Sequence, residues 1–513
     1  MTGALAVVGG ILLLIGAAFA GLLGVAEGVD GVRLGAVLSV VRFTAIQAGL
    51  STALSLLLGA VIALALARRR FPGRGVYLAA LGAATALPAI IVVFALAAIW
   101  GRGGVFNDLL VAADLPRLSI YGLTGVVLAH VFFNAPFAAR AYLAAIERTP
   151  GEHWRLAASL GMTPVAILRF IDGPAMLRET PALAILIFLL CATSFAIPLS
   201  LGGGPGAATL EVAIYEALRF DVDFGKAAVL AAFQIAALTG LCLVALPLLR
   251  RPVEMAATGR AVDRPDRAGA ALRLGDGVAL GVGALLVGPP LLAIGWSARA
   301  LPEVLDAAIL RATLTSLMVA LPAAGLAVVS AYALARGRVV AGRTGALLGQ
   351  VPLMALAMPP IALSAGLYVL VRGLADPADV ALPVLILMNA LMALPFAYRL
   401  IEPPVLVAEA RYGRLARSLG MSGMSRLWLV ERPLLAGPAA AALALAVALS
   451  LGDLGVIALF GADSLKTLPY LLFERLGSYR MAQGEAIAAV LTLLVLIMMA
   501  LARLAGRGDA RPA

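Results

Sequence analysis

Long apolar stretches separated by short polar segments recur along the whole of the 513-residue chain. A helix that crosses about 30 Å of hydrocarbon needs roughly 20 apolar residues, because each residue adds about 1.5 Å to its length. Twelve stretches meet this requirement and predict an all-α membrane protein with about 12 transmembrane helices. The predicted spans are residues 4–24, 45–67, 77–100, 122–139, 177–198, 227–249, 277–298, 312–335, 346–371, 380–398, 434–451 and 485–502.

The composition supports this interpretation and excludes several other classes of protein. The chain is 62% hydrophobic and 13% charged, whereas soluble domains carry roughly 25% charged residues. Such hydrophobicity also excludes a disordered chain, and the absence of a three-residue glycine period excludes a collagen-like fibre. Cys191 and Cys242 both lie in apolar stretches, so we expect small buried side chains rather than a disulfide or redox site.

The basic residues indicate which side of the membrane each polar segment faces. The chain has 39 Lys and Arg residues and a net charge of +11, and most of these residues lie in alternate segments between the spans. Segments rich in Arg and Lys face the cytoplasm in membrane proteins. We therefore predict a multi-pass protein of the cytoplasmic membrane with both termini inside, in contact with lipid and with no nucleic acid partner.

The second half of the chain repeats motifs of the first half. Each copy contains an even number of predicted spans, so the copies share one orientation and form a parallel repeat. The matched segments are 63–68 with 331–336, 136–140 with 395–399, and 159–162 with 418–421, and Pro174 matches Pro433.

A polar stretch rich in Arg, Asp and Pro separates the two copies and is typical of a cytoplasmic linker. This boundary predicts six parts of the chain. They are a first helix with its outer loop (1–44), a first transmembrane domain (45–249), a linker (250–276), a seventh helix with its outer loop (277–311), a second transmembrane domain (312–503) and a cytoplasmic tail (504–513).

Residue patterns that carry enzymatic chemistry are missing from the sequence. Lys226 follows a glycine, but Ala227 stands where the Walker A loop of ATPases requires Ser or Thr. The two histidines, His130 and His153, have no spacing that forms a metal site or a hydrolase triad. We therefore expect a chain that is not an enzyme, with no catalytic residue and no metal site.

Ionisable residues are scarce within the predicted spans. Ion-coupled carriers generally keep such residues inside the membrane to bind the driving ion. A secondary transporter is therefore disfavoured, although sodium coupling through backbone carbonyls is an open alternative.

Two long inside loops, residues 143–176 and 401–434, contain the best-matched residues of the repeat. Apolar residues at helical spacing lie on both sides of a glycine in each loop. They are Trp154, Leu156, Leu160, Val165 and Leu168 around Gly161, and Leu415, Leu419, Met424 and Leu427 around Gly420. This pattern predicts an amphipathic helix-turn-helix beneath the bilayer that the glycine interrupts. A surface helix that only rests on lipid headgroups is the alternative.

The spacing Ala157-x3-Gly161-x12-Pro174, repeated as Ala416-x3-Gly420-x12-Pro433, resembles the EAA loop of bacterial type I ABC importer permeases. The resemblance implies two fused permease domains of the MetI-like fold in the inner membrane. It also implies two copies of an ATPase subunit that receive the loops and hold ATP and Mg²⁺, so that this chain needs no cofactor, and an external substrate-binding protein. The family's glutamate, six residues before the glycine, is Arg155 here and Arg414 in the second copy. The residues implied in coupling to the ATPase are Arg155, Ala157, Ser159, Leu160, Gly161, Pro174, Arg414, Ala416, Ser418, Leu419, Gly420 and Pro433.

A narrower resemblance lies in the predicted outer segments. Residues 199–205, 209–218, 450–461, 466–469 and 477–480 are similar to the fused permease of the thiamine and thiamine pyrophosphate importer, and ferric-iron permeases are close relatives. Plain re-entrant turns, which glycine permits, are the alternative. The resemblance implies a translocation path or outer gate at Ser194, Gly203, Gly204, Thr209, Asp453 and Thr467.

The outer segment between the fifth and sixth spans is acidic. Glu211, Glu216, Asp221 and Asp223 outnumber Arg219 there, and a negative mouth favours a cation or the basic patch of a binding protein. Thiamine and ferric iron both satisfy this condition. The charge therefore does not distinguish the two cargoes. The resemblance of the outer segments implies the permease subunit of an ATP-driven importer for thiamine and its phosphates, with a ferric-iron permease and an ion-coupled transporter as alternatives.

Overall fold

The computed structural model is helical, and the residues that it describes include no β-strand. Eleven of its helices are long and apolar enough to cross a membrane. The all-α membrane fold expected from the sequence is thus confirmed. The described residues are 1–24, 34–249, 264–267, 269–297, 299, 306–342, 345–356, 358–461, 465–478 and 481–507.

The helices are numbered in chain order. Those of the first half are α1 (Thr2–Leu23), α2 (Leu34–Arg68), α3 (Arg74–Ala84), α4 (Ala89–Trp100), α5 (Val105–Ala112), α6 (Leu123–Glu147), α7 (Gly151–Ser159), α8 (Pro164–Ala192), α9 (Ala196–Leu201), α10 (Leu210–Arg219) and α11 (Phe224–Leu249). Those of the second half are α12 (Ala270–Ser297), α13 (Ala307–Val340), α14 (Gly345–Leu348), α15 (Val351–Leu356), α16 (Pro360–Arg372), α17 (Ala381–Ser418), α18 (423–451), α19 (Gly455–Phe460), α20 (Leu468–Gly477) and α21 (Met481–Arg507).

Two of the predicted spans are interrupted. The predicted span 77–100 consists of α3 and α4, and Pro88 immediately precedes α4. The predicted span 346–371 consists of α14, α15 and α16, and Pro359 and Pro360 stand at the start of the last of these. Proline lacks an N–H and disfavours the helical conformation in the residue before it, so these prolines favour a break. Hydrophobicity alone does not detect such a break, because proline leaves the segment apolar.

Helices α8 and α18 each contain one π-helical turn, Leu168–Asp172 in the first and Leu427–Glu431 in the second. The residue after each turn donates its N–H to the carbonyl of the first residue of the turn, five positions back. Pro174 and Pro433 follow directly, and neither can donate the N–H that a regular α-helical turn requires. The two matched prolines therefore accompany the same local widening of the helix in both halves.

The first helix of each half packs against helices of the other half. Helix α1 contacts α13 and α16, and α12 contacts α2, α3 and α4. Where α1 crosses α16, a Cβ atom on Gly21 would lie 1.9 Å from the carbonyl oxygen of Gly366. The two backbones touch at this crossing, as small residues allow in membrane helices. The halves are therefore interlocked.

Candidate functional site

The two long loops lie at one end of the helix bundle, the end that holds Arg68, Arg155, Arg336 and Arg414, which we call the basic end. Arg68, the last residue of α2, pairs with Asp276 near the start of α12 at 2.8 Å. Helix α12 leaves this end and α13 returns to it, so Arg336, near the end of α13, lies at the same end as Arg68. Both loops are thus available on one surface.

Gly161 and Gly420 each end a helix at the basic end in the same way. Their φ angles are +58° and +64°, the left-handed region that glycine adopts without strain. The N–H of the next residue donates back to the carbonyl of Ala157 (3.0 Å) in the first loop and of Ala416 (2.8 Å) in the second. This is the hydrogen bond of a Schellman helix end, and both alanines are buried beneath it. The two loops therefore share one turn geometry.

Exposed apolar side chains surround both turns at matching positions. A soluble surface rarely carries so many large apolar groups together unless it binds something. The expected amphipathic pattern needs one correction, because Trp154 is buried while Leu156 in α7 and Leu160 just after it are exposed. The exposed pairs are Leu156 with Leu415, Leu160 with Leu419, Val165 with Met424, and Phe170 with Leu429.

The remaining polar residues of the predicted coupling set lie on the same two helices. Arg155 and Arg414, which stand in place of the family's glutamate, are exposed. The hydroxyls of Ser159 and Ser418 are also exposed, and each donates to a carbonyl one turn earlier, at 2.9 and 2.8 Å. The serines therefore support the helix ends locally, and the arginines present positive charge beside the apolar pairs.

The two loops differ in how they join the bundle. Helix α17 runs without interruption from its membrane span to Ser418 and passes through Pro403 and Pro404. In the first half, α6 ends at Glu147 and α7 begins separately after Pro150. The second loop helix is thus a continuation of a span, whereas side-chain contacts must hold α7 in place.

A buried acidic residue lies two positions before each matched proline. The repeated Ala, Gly and Pro spacing leaves this position unspecified. In the second half, Glu431 pairs with Arg426 at 2.9 Å and with Arg336 at 3.2 Å, and Tyr332 donates to it at 2.5 Å. Its counterpart in the first half is Asp172, which is equally buried. The equal spacing of both acids from proline was the signal in the sequence that could have revealed them.

At the opposite end of the bundle, α8 and α18 each break before a short helix. Ser194 and Asp453, which match in the repeat, lie in these two breaks. The Asp453 carboxylate accepts the N–H of Gly455 at 3.1 Å. A Cβ atom on Gly452 would lie 3.0 Å from the Cβ of Pro88 in the first half. The second break therefore lies where the two halves meet.

Thr209 and Thr467 directly precede helices α10 and α20, and both hydroxyls are buried. Neither hydroxyl has a hydrogen-bond partner among the residues that the structure describes. The first N–H of each helix is bound instead by a hydroxyl from a long span of the same half, Thr44 for α10 (2.9 Å) and Ser316 for α20 (2.8 Å). A buried hydroxyl without a protein partner requires water or a ligand. These two positions are thus suited to polar contacts in a passage.

A turn with two left-handed glycines leads to α10. Gly203 and Gly204 have φ angles of +78° and +126°. A Cβ atom on Gly203 would lie 3.3 Å from the Cβ of Tyr121, and the N–H of Gly122 donates to the carbonyl of Leu201 at 2.7 Å. Both the backbone conformation and the close packing against the start of α6 account for glycine at this turn.

The expected negative mouth is less acidic than the sequence suggests. Glu211 is fully buried, where it accepts from Gln234 Nε2 (3.1 Å) and from the N–H of Ile361 in the other half (3.0 Å). Burial raises the pKa of this carboxyl, which lies outside the eleven long helices, to about 8. At the surface, Asp221 pairs with Lys226 at 2.9 Å. Glu211 is therefore a contact between the halves rather than a surface charge.

The comparisons with known proteins agree with this architecture. The family model for the binding-protein-dependent transport system inner membrane component matches residues 293–507. The thiamine transport system permease protein ThiP of Brucella melitensis is 42% identical over 475 residues, which cover 90% of this chain and 87% of that protein. The chain belongs to this family of permeases. The ThiP proteins of Escherichia coli K12 (42% identical over 91% of this chain and 89% of theirs) and of Haemophilus influenzae (34% over 88% and 86%) extend the similarity.

Family membership assigns the permease to the inner membrane as a multi-pass transport subunit. The residues that the sequence predicts to have functional roles in this permease form two groups. The residues predicted for coupling lie at the basic end, and those predicted for the outer gate lie at the opposite end. The structure adds Asp172, Glu431 and Glu211 to these groups, as buried acidic residues that tie segments together.

Proposed function

We propose that this permease imports thiamine and thiamine phosphates across the cytoplasmic membrane as the membrane subunit of an ABC importer. The observation that carries the proposal is the 42% identity over 90% of the chain with a protein named for thiamine transport. The similarity spans both halves, so it includes both loops of the basic end and both outer breaks.

We further propose that two copies of an ATPase subunit bind the basic end, one at each loop. The matched exposed pairs around Gly161 and Gly420 support this, because two equivalent surfaces fit two equivalent partners. A substrate-binding protein would then deliver cargo at the opposite end, and both termini would be cytoplasmic, as the arginine distribution favours. ATP and Mg²⁺ belong to the ATPase in this arrangement, and this chain performs no covalent chemistry.

The proposed mechanism is a rigid-body alternation between two arrangements of the halves. Closure of the ATPase subunits moves α7 and the end of α17 toward each other, and the interlocked spans carry that movement to the opposite end. Opening there must break contacts between the halves, including the hydrogen bond from the Ile361 N–H to Glu211. The buried hydroxyls of Thr209 and Thr467, with Ser194 and Asp453 in the breaks and the turn at Gly203 and Gly204, are proposed to line or gate the path.

The cargo is tested by uptake of labelled thiamine and labelled ferric iron in cells with and without this gene, at low substrate concentration. We expect deletion to remove energy-dependent thiamine uptake and to leave iron uptake unchanged. Loss of iron uptake alone would assign the permease to iron. Thiamine uptake that persists after ATP depletion, with an intact proton gradient, would instead support an ion-coupled carrier.

The two glycine turns provide a second test. A Cβ atom at Gly161 or Gly420 would meet no atom of the described residues within 4 Å, so the backbone conformation is what requires glycine there. We expect the double variant Gly161→Ala, Gly420→Ala to lose about 1 kcal/mol per turn and to lower uptake, because alanine resists the left-handed conformation.

The matched control is the double variant Gly161→Asn, Gly420→Asn. Asparagine tolerates the left-handed conformation far better than alanine does, so uptake should stay near the wild-type rate at equal protein level in the membrane. Equal loss in the alanine and asparagine variants would show that the turn conformation is not what transport requires.

A further inference from the structure

The two buried acids of the basic end obtain their cations from different places. Glu431 is paired by two arginines of its own half, Arg426 five residues earlier in the same loop and Arg336 of α13. The repeat position of Arg426 in the first half is Ile167, which is buried and carries no charge. The cation at Asp172 is Arg264 instead, which belongs to the segment between the halves.

Arg264 is held by contacts on several sides. Its guanidinium forms two hydrogen bonds with the Asp172 carboxylate, at 2.6 and 3.1 Å, and lies 4.2 Å from the ring centre of Trp154 in α7. Its Nε and Nη2 atoms also donate to Asp266, at 2.9 and 2.8 Å. Only 3% of the side chain is exposed. Such a planar, bidentate and stacked contact is specific to arginine.

The same segment is also fixed to the bundle. Asp266 lies 3.4 Å from the Arg68 guanidinium at the end of α2. Arg69 donates to Asp276 at 2.6 Å and to the carbonyl of Arg267 at 2.8 Å. Burial acts to raise the pKa of the Asp266 carboxyl, but the hydrogen bonds from Arg264 and the positive charges of Arg264 and Arg68 together outweigh burial and hold that pKa below its usual value. The contacts therefore connect α7 to α2 and to the start of α12.

The second half fills the equivalent space differently. Gly413 stands at the repeat position of Trp154, and a Cβ atom on Gly413 would lie 2.4 Å from the carboxylate of Glu409. Glu409 pairs there with Arg417 and Arg426 of its own loop. Because α17 is continuous with its span, the second loop makes its ion pairs within its own half, whereas α7 is separate and packs on Arg264 from the segment between the halves.

We propose that Arg264 is a positioning residue for coupling, through which the segment between the halves holds α7 against the bundle and passes its movement to α2 and α12. The proposal rests on the proposed function for its consequence in transport. The positioning itself is a property of this chain, so it has a test that needs neither cargo nor ATPase.

The first experiment measures the mobility of a spin label on each loop. Cys191 and Cys242 are buried, as expected, so a cysteine at exposed Ser159 or Ser418 accepts the label selectively. We expect Arg264→Gln to increase label mobility at position 159 about twofold or more and to leave position 418 unchanged. Arg426→Gln, the matched control, should affect position 418 and not position 159. Unchanged mobility at 159 in Arg264→Gln, or equal changes at both positions, would overturn the proposal.

The second experiment measures labelled thiamine transported per ATP hydrolysed in vesicles that contain the permease, its ATPase and the binding protein. We expect Arg264→Gln to lower this ratio about tenfold and Arg264→Lys to restore it in part, because lysine keeps the charge but not the bidentate contact. A neutral pair, Asp172→Asn with Arg264→Gln, removes the unpaired buried charge and should restore protein yield but not the ratio. If the neutral pair restores the ratio as well, Arg264 serves folding alone and the proposal is wrong.

The two experiments separate the failure of this proposal from the failure of the proposed function. Absence of ATP-driven thiamine uptake by the wild-type protein would refute the function, and label mobility at position 159 would still decide whether Arg264 positions α7. If the wild-type protein takes up thiamine and Arg264→Gln transports as much thiamine per ATP as the wild type, only the role of Arg264 in coupling is refuted and the proposed function stands.

Discussion

A permease that carries Leu160→Glu together with Leu419→Glu is expected to lose ATP-driven uptake and to release its ATPase subunits. Leu160 and Leu419 are 67% and 62% exposed and occupy matching positions beside the two glycine turns. A carboxylate in an apolar contact loses its hydration without gaining a partner. Loss of a central apolar contact typically costs about 2 kcal/mol, or roughly a thirtyfold weaker affinity at each loop.

Co-purification of the ATPase and its stimulated ATP hydrolysis provide the measurement. The control is Leu374→Glu, since Leu374 is 81% exposed in the connection between α16 and α17, away from the basic end. This control should retain the ATPase and its activity. If the double variant keeps a full complement of ATPase, the apolar pairs are not its binding surface.

The second large effect is expected where α1 crosses the other half of the molecule. In Gly21→Leu the new side chain would collide with the backbone of Gly366 in α16, because even a Cβ atom would lie 1.9 Å from its carbonyl oxygen. Backbone atoms cannot move aside as a side chain can, so α1 must separate from α16. Overpacking in a close contact costs about 3 kcal/mol, and the midpoint of thermal unfolding in detergent should fall accordingly.

Gly16 provides the control on the same helix. Within the part of the chain that the structure describes, a Cβ atom at Gly16 would meet no atom within 4 Å, and the residue is exposed. Gly16→Leu should therefore keep the wild-type midpoint. A wild-type midpoint in both variants would contradict the close packing of α1 against α16 of the other half. An equal fall of the midpoint in both variants would indicate a general effect of leucine on α1.

Much of the fold was predictable because it depends on local properties of the chain. The apolar stretches identified nearly every long helix, since length and hydrophobicity are sufficient to specify a membrane span. The interruptions before Ala89 and Pro360 were signalled only by prolines that stand inside apolar runs. A hydrophobicity pattern does not register them, because proline's missing N–H affects hydrogen bonding and not the apolar character of the segment.

The candidate site was predictable in part. The repeated Ala, Gly and Pro spacing identified both turns at the basic end, and the left-handed conformation of Gly161 and Gly420 gives that spacing a physical reason. The different attachment of the two loops was not predictable from the motif. Pro403 and Pro404 would suggest a break in the second half, yet α17 continues through them.

The sequence by itself determined that this protein is an all-helical membrane protein with a parallel repeat and a glycine turn in each copy, because these features follow from hydrophobicity, spacing and backbone preference within short segments. Only the tertiary structure decided that α1 packs against the second half and α12 against the first, that Glu211 is buried against Ile361, and that Arg264 pairs with Asp172. Those contacts join segments far apart in the chain, and their partners depend on which helix surfaces meet when the bundle packs.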